Sequence, residues 1–415
     1  YTKLSTQGAA LIALARVSSA GVTVAHPHVQ VNSSGTRAYV FWGEAGLLKC
    51  KVLDISGTAL VTVKDTFSLA TGTDEVLERM DSVVESNGNV HLVFTRRMAA
   101  VGGVSIHDAP WYCKIDSAGA VLISSRQLVF GLAGDNREAS VTLSGTGASL
   151  IVTVVFSSKL AGSSQLYAVQ LDQTAAFIGS SAPKALTSGV STNDLPVVRQ
   201  GPTGSLHLVW RSLERTVAYS RLLNNGLTVS IPRLTTLTRT KNLSELSMNV
   251  DPYGALQLCW IESSGVFDDA YATKVDAKGQ RTSRVQNVSN SLSFSSSPVL
   301  LADAAGSTHL VWVDSIKGRD KPFYLKRALQ EWHLVIPDTT LRYSTREKVS
   351  LALDIPASNG VQVDFSWAKD MTQVQAFLES EAERTIVADL LAKHMAPATG
   401  TTAVTFASSG NKLTA

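Results

Sequence analysis

Short apolar runs recur along the chain with a period of two, each opening just after a glycine and closing on an aromatic. "GSLHLVW" from Gly204 has near-copies in "GNVHLVF" from Gly88, "GALQLCW" from Gly254 and "GSTHLVW" from Gly306. Looser copies begin at Gly35, Gly147 and Gly360, giving seven anchor glycines spaced 50 to 59 residues apart. A period of two sends successive side chains to opposite sheet faces, and the leading glycine supplies a turn, so each phrase predicts one strand. A strand also precedes each phrase, in "PHVQVN", "DSVVES", "SVTLSG", "LPVVRQ", "SMNVDP", "PVLLAD" and "VSLALD". Another follows before a second glycine turn, as in "YCKIDSAG" ending at Gly119 and "YATKVDAKG" ending at Gly279. About four strands per unit, repeating every ~50 residues, is the sequence form of a β-propeller, whose blades bury their faces only by stacking.

The two ends of the chain each hold part of a unit. "ARVSSAG" ending at Gly21 matches the third strand and turn of the repeat without the first two strands, whereas "VSLALDIPASNGVQVDFSW" supplies two strands and then lapses. Joined in one sheet, they would close a ring and cover its free edges. The expectation is an all-β, seven-bladed propeller over residues 1–370, closed by N- and C-terminal half-blades that bring Leu11 to Val17 beside Gly360 to Trp367. The competing arrangement is a six-bladed ring with a separate small α+β domain from about residue 335. Asp370 and Gln373 read as a capping box, and Met371, Val374, Phe377, Leu378, Ile386, Val387, Leu390 and Leu391 as an apolar stripe, so residues 371–415 are expected to form a helix and a strand-like tail. The tail's "TTAVTF" offers an edge for a homo-oligomer or larger assembly.

With these repeats in view, the chain resembles the seven-bladed propellers built from sialidase-like repeats of the form "P-V-x-x-x-x-x-G-x-x-H-L-V-W", over about residues 1–370. The resemblance implies an architecture and says little about activity, because propellers host many functions. The "S-x-D-x-G-x-x-W" box of sialidases is absent, as is an "R-I-P" or "R-L-P" near the start, so no catalytic residue carries over.

Composition narrows the function classes. A net charge of +3 with 17% charged residues gives no basic face for nucleic acid. No apolar run reaches the roughly 18 residues of a transmembrane helix. The start at Tyr1 instead of Met suggests that an upstream segment has been removed. Plentiful small polar residues point to an extracellular, cell-surface or virion setting. Cys50, Cys113 and Cys259 make an odd set, expected to be buried free thiols.

His91, His207 and His309 stand three residues after their anchor glycines, and equivalent positions in a ring do not converge, so they predict a shared structural role and no metal site. The closing aromatics Trp42, Phe94, Phe156, Trp210, Trp260, Trp312 and Trp367 predict packing between blades, leaving Trp111 and Trp332 as the tryptophans for exposed contacts. No catalytic, cofactor or metal motif is present. The candidate partner-binding residues lie in the loops before first strands and after second strands, which share one rim: Arg79, Arg96, Arg97, His107, Arg137, Glu138, Asp194, Arg211, Glu245, Asp314, Lys317, Arg319 and Asp320. They lead to a non-enzymatic recognition or assembly module that binds a protein or glycan. The alternative is a glycoside-acting hydrolase or lyase, which needs only two carboxylates drawn from any blades.

Overall fold

The computed structural model describes residues 3–4, 10–12, 16–18, 21, 23–69, 79–98, 107–128, 134–160, 163–189, 191–213, 216–223, 228–229, 235–239, 242–263, 267–277, 279–283, 285–290, 293–303, 306–316, 318–327, 333–335, 349–354, 374–378, 407–409 and 412–414. The chain separates into two compact units, Tyr1–Lys326 and Arg327–Ala415. Among the described residues of the first, the only helical turn is the 3-10 turn Gly147–Ser149, and the rest is strand and turn.

Among the described residues, each of the first six repeats forms an antiparallel sheet in the order the sequence predicts. The first sheet runs Val24–Val31, Arg37–Glu44, Leu47–Asp54, Val61–Ser68, and the second Asp81–Val84, Val90–Met98, His107–Ile115, Val121–Gln127. The third holds Asp135–Ser144, Ile151–Leu160, Ser163–Leu171 and Lys184–Ala185. The fourth holds Asn193–Gln200, Leu206–Ser212 and Thr216–Leu223, with Thr228–Val229 and Thr235–Arg239 both on the last of these. The fifth is Leu243–Val250, Leu256–Ser263, Asp268–Val275 and Gln286–Asn287, and the sixth Phe294–Ala302, Thr308–Ile316 and Arg319–Arg327. A single parallel bridge, Asp268 to Phe294, joins these last two.

The sheets stack face to face, and a separate apolar cluster closes each of five seams. Phe41 and Leu48 of the first sheet meet Leu92 and Phe94 of the second, and Val93 and Tyr112 meet Val141 and Phe156 of the third. Val155 meets Val198 and Trp210, Val197 and Tyr219 meet Met248 and Trp260, and Cys259 meets Leu300 and Trp312. Five of the seven closing aromatics, Phe94, Phe156, Trp210, Trp260 and Trp312, are buried at these seams, as predicted; Trp42 is buried outside the five clusters, and Trp367 lies outside the described residues. All three cysteines are free and buried, also as predicted. Turn glycines let neighbours approach closely: a Cβ on Gly279, whose φ is +82°, would sit 2.4 Å from the Tyr219 ring of the previous sheet.

The two outermost faces of the stack are not closed in this way. Val311 of the sixth sheet is 40% exposed, although its counterparts Phe41, Val93, Val155, Val209 and Cys259 are all buried against a following sheet. Val29 of the first sheet is 50% exposed, although Val141, Val198, Met248 and Leu300 at the same place are buried against a preceding one. Ile12 shares a small buried cluster with Ala38, Leu53 and Ile55.

Of two expectations about the ends, one falls on residues outside those described and the other meets a different arrangement. Ala10–Ile12 pairs antiparallel with Lys3–Leu4, and the Gly360 to Trp367 segment expected beside it lies outside the described residues. Where a helix was expected beyond Asp370, Val374–Leu378 is a strand, pairing in parallel with Val349–Asp354. The segment Val374-Gln375-Ala376-Phe377-Leu378 fits a period of two as well as a helical stripe, and pairing decides the outcome. The remainder of the expected helix lies outside the described residues. In this second unit Val349–Asp354 also pairs with His333–Val335, so both its edges are occupied, and Lys412–Thr414 joins Ala407–Ser409 to Val374–Leu378.

Candidate functional site at the inner strands

The first strands of consecutive sheets lie side by side. Five share a local device. At His26, Glu138, Leu195, Glu245 and Ser297 the backbone turns left-handed, with φ between +49° and +57°. The strand register slips at each of these places, marking a β-bulge. A left-handed non-glycine residue costs on the order of 1 kcal/mol, so its repetition shows a backbone device that re-aims the side chain at the end of each strand. Arg79 stands at the corresponding place in the second sheet, two residues before Asp81.

Two bulge residues are glutamates, and each holds the next sheet. Glu138 accepts the N–H of Leu195 at 2.6 Å and the Ser157 hydroxyl at 3.2 Å. Glu245 accepts the N–H of Ser297. Each thus bonds a bulge backbone with no ladder partner of its own. The fourth sheet, where the bulge residue is Leu195, holds the fifth differently. Arg211 forks onto Asp194 through two contacts of 2.6 Å and gives its remaining terminal nitrogen to the Leu243 carbonyl at 2.6 Å.

Two residues beyond Arg79, at Asp81, lies a second charged group. Asp81 accepts two bonds from Arg199, at 2.8 and 2.9 Å, one from the Ser140 hydroxyl at 2.6 Å and one from the Val141 N–H at 3.0 Å. Burial alone would raise its pKa. The Arg199 charge and hydrogen bonds, helped by Arg79 and Ser140, outweigh that and hold it down at about 2. His28 donates or accepts at Ser82 Oγ, 2.7 Å away, and burial lowers its pKa to about 4, so it is neutral. Arg79 reaches from the second sheet to the fifth, where its Nη1 donates to the Leu246 carbonyl at 2.6 Å. Burial lowers its pKa, while Asp81 and Glu138 support its charge.

The two bulge glutamates titrate the other way. Burial raises the pKa of Glu138, and the like charge of Asp194 adds to it. Glu245 is raised chiefly by burial of its carboxyl, even though the residue as a whole keeps an exposed side.

The structure therefore brings together Arg79, Glu138, Asp194, Arg211 and Glu245 of the residues nominated from sequence. The others are dispersed. Arg137 bonds Asp108 at 2.5 Å, and Arg97 lies 3.4 Å from the same carboxylate. Arg96 is buried and stacked 4.5 Å over Trp111, which is half-buried instead of exposed. Asp314 is buried and accepts from Ser295 at 2.5 Å. Arg319 and Asp320 are exposed at the start of their strand. His107 begins the third strand of the second sheet, but its side chain lies outside the described residues, as do Lys317 and Trp332. Sequence reasoning missed Asp81, Ser140 and Arg199. The available signal was a charge inside an otherwise apolar inner strand, in "DSVVES" and "LPVVRQ".

The repeated histidines have the structural role expected. In each, Nδ1 hydrogen-bonds a tyrosine hydroxyl on the next strand: His91 with Tyr112 at 2.8 Å, His207 with Tyr219 at 3.1 Å, His309 with Tyr324 at 2.8 Å. Glu85 and Asp303 complete the arrangement at Nε2, and where the histidine becomes Gln257 the tyrosine position becomes Ala272. Among the described residues no cluster of three or more His, Cys, Asp or Glu could hold a metal. Nor is any helix among them long and apolar enough to cross a membrane.

No family model matches the chain, and no curated protein matches it. Solved structures do. A GH93 α-L-arabinofuranosidase of Fusarium graminearum in complex with arabinobiose is similar over 74% of this chain and 93% of its own, with a TM-score of 0.51 and 10% identity. A protein of unknown function from Dyadobacter fermentans is similar over 74% and 94% of the two chains, at TM-score 0.49 and 8% identity. The NanB sialidase of Streptococcus pneumoniae, as its K499G mutant, is similar over 72% and 67%, at TM-score 0.49 and 9% identity. At such identities a likeness speaks for fold alone, and with the stacked antiparallel sheets it shows an all-β, propeller-type architecture.

Proposed function

We propose that the inner-strand mouth framed by Arg79, Glu138, Asp194 and Glu245 is a carbohydrate-directed site, and that the chain acts on glycosides as a hydrolase or lyase. One observation carries this reading. To hold a neighbouring backbone N–H, a side chain needs only an acceptor, which a neutral glutamine supplies. Yet Glu138 and Glu245 are carboxylates kept in surroundings that disfavour their charge. Desolvated carboxyls with raised pKa are what acid catalysis at a glycosidic oxygen requires, and such costly placements gather at functional sites. The activity of the arabinofuranosidase with a similar fold is compatible with this reading and adds no residue to it.

The recognition-module reading keeps one supporting observation: both glutamates already serve as ties between sheets, so the mouth could be purely structural. A glycan array probed with the full chain separates the site from the outer rim. Binding lost in Glu245→Gln but kept in Arg319→Ala supports the mouth. The reverse pattern supports the rim loops.

The repeat count also supports one blade more than the six described sheets, as the sequence suggests. What favours it is the pair of exposed faces at Val311 and Val29, one of each kind that an added sheet would cover.

A further inference from the structure

We infer that Phe294, paired with Phe267, is an aromatic platform on which one sugar ring of a bound glycan rests beside Glu245. The inference rests on the carbohydrate-site reading and deepens it, by giving the glycan a direction over the seam of the fifth and sixth sheets. Phe294 opens the first strand of the sixth sheet and is 56% exposed. The same place, three residues before the bulge, holds Asp135, Thr192 and Asn242 in the third, fourth and fifth sheets. Each of these is at least partly exposed although another sheet follows its own, so the open face of the sixth sheet is not what bares Phe294. A position that the repeat elsewhere fills with short polar residues here carries a large apolar ring. Leaving such a ring in water is unfavourable, and a bound partner that covers it relieves the cost.

The surroundings indicate what covers it. The Phe267 and Phe294 rings lie 6.3 Å apart, tilted by 55°, and the backbone of Phe294 bridges to Asp268, the residue after Phe267. Two links carry this pair to the mouth. Glu245 accepts the N–H of Ser297, three residues beyond Phe294, and Asp268 is near enough for its charge to act on Glu245. Around the rings stand Asp268, Asp269 and Ser296, all partly exposed. An apolar protein surface would need a continuous apolar patch to meet. An aromatic pair set among carboxylates and hydroxyls suits a ligand with one C–H-rich face and hydroxyls around its edge, which is the chemistry of a sugar ring.

The test compares the full chain with its Phe294→Ala and Phe294→Trp variants. Val61→Ala is the control, since Val61 is also 56% exposed but lies on the outermost strand of the first sheet. All four proteins are probed on one glycan array, and the oligosaccharide that the wild type binds best is titrated calorimetrically. Loss of the aromatic contact should weaken that binding about tenfold in Phe294→Ala. Phe294→Trp should bind at least as well as the wild type, and Val61→Ala should match it. Because the ring is exposed, Phe294→Ala should keep the wild-type urea midpoint, which separates a lost contact from a lost fold. Oligosaccharide binding that Phe294→Ala leaves within twofold of the wild type overturns the platform and leaves the mouth reading standing. So does an equal loss in Val61→Ala. A wild type that binds no oligosaccharide overturns both.

Discussion

Replacing Asp81 by asparagine removes one charge from a largely enclosed ion pair between the first strands of the second and fourth sheets. Its carboxylate, 4% exposed at the side chain, takes five hydrogen bonds, two from Arg199 and one each from Ser140, the Val141 N–H and the Ser82 N–H. An asparagine keeps one acceptor oxygen, turns the other into a donor facing donors, and strands the Arg199 guanidinium. Breaking a buried pair by removing one partner costs about 3–5 kcal/mol. The same residue sets a pH dependence. Its folded pKa of about 2 lies below the unfolded value near 3.8, so its contribution is complete above pH ~4 and is lost as the pH falls towards 2. The difference is worth about 2 kcal/mol at 1.36 kcal/mol per unit. Urea denaturation followed by circular dichroism should show Asp81→Asn less stable by about 3 kcal/mol or more at pH 7, with the gap narrowing below pH 4. A loss under ~1 kcal/mol, or a gap that ignores pH, would refute the claim that this pair ties the second, third and fourth sheets together.

Three shorter predictions follow from the same geometry. Glu138→Ala should lose about 1–3 kcal/mol by leaving the Leu195 N–H without an acceptor, whereas Glu138→Gln should match or exceed the wild type at pH 7. A raised folded pKa means stability that is complete below the unfolded pKa and declines as pH rises, so the advantage of the glutamine should fade in acid, as denaturation at two pH values would reveal. Gly279→Ala must seat a Cβ at φ +82° against the Tyr219 ring and should cost about 1–3 kcal/mol in denaturant, whereas Gly35→Ala, with open space around it, carries only the backbone strain. Trp260→Ala should cost about 3–5 kcal/mol, because that ring is fully buried at the seam of the fourth and fifth sheets.

The repeat was legible because each strand carries its own period and each turn its own glycine, signals confined to about ten residues. The rim position was legible too: His26, Arg79, Glu138 and Glu245 stand at one offset in the repeat, at the start of the first-strand pattern. What joins them was not legible. Asp81 and Arg199 are separated by 118 residues, and Arg79 and Leu246 by 167, distances over which no local pattern operates. The left-handed bulge was equally hidden, since His, Glu, Leu and Ser share no backbone preference that would announce it. Val374–Leu378 became a strand because its pattern allowed both periods and a partner strand was present.

Hydrolysis of a panel of chromogenic α- and β-linked glycosides by the full chain, with Glu138→Gln and Glu245→Gln in parallel, tests the central claim most directly. The account predicts turnover of at least one glycoside by the wild type, reduced by about 10²-fold or more in each variant while glycan binding persists in Glu138→Gln. Wild-type turnover that both substitutions leave unchanged, or a chain that binds glycans through its mouth yet cleaves none of them, would contradict it.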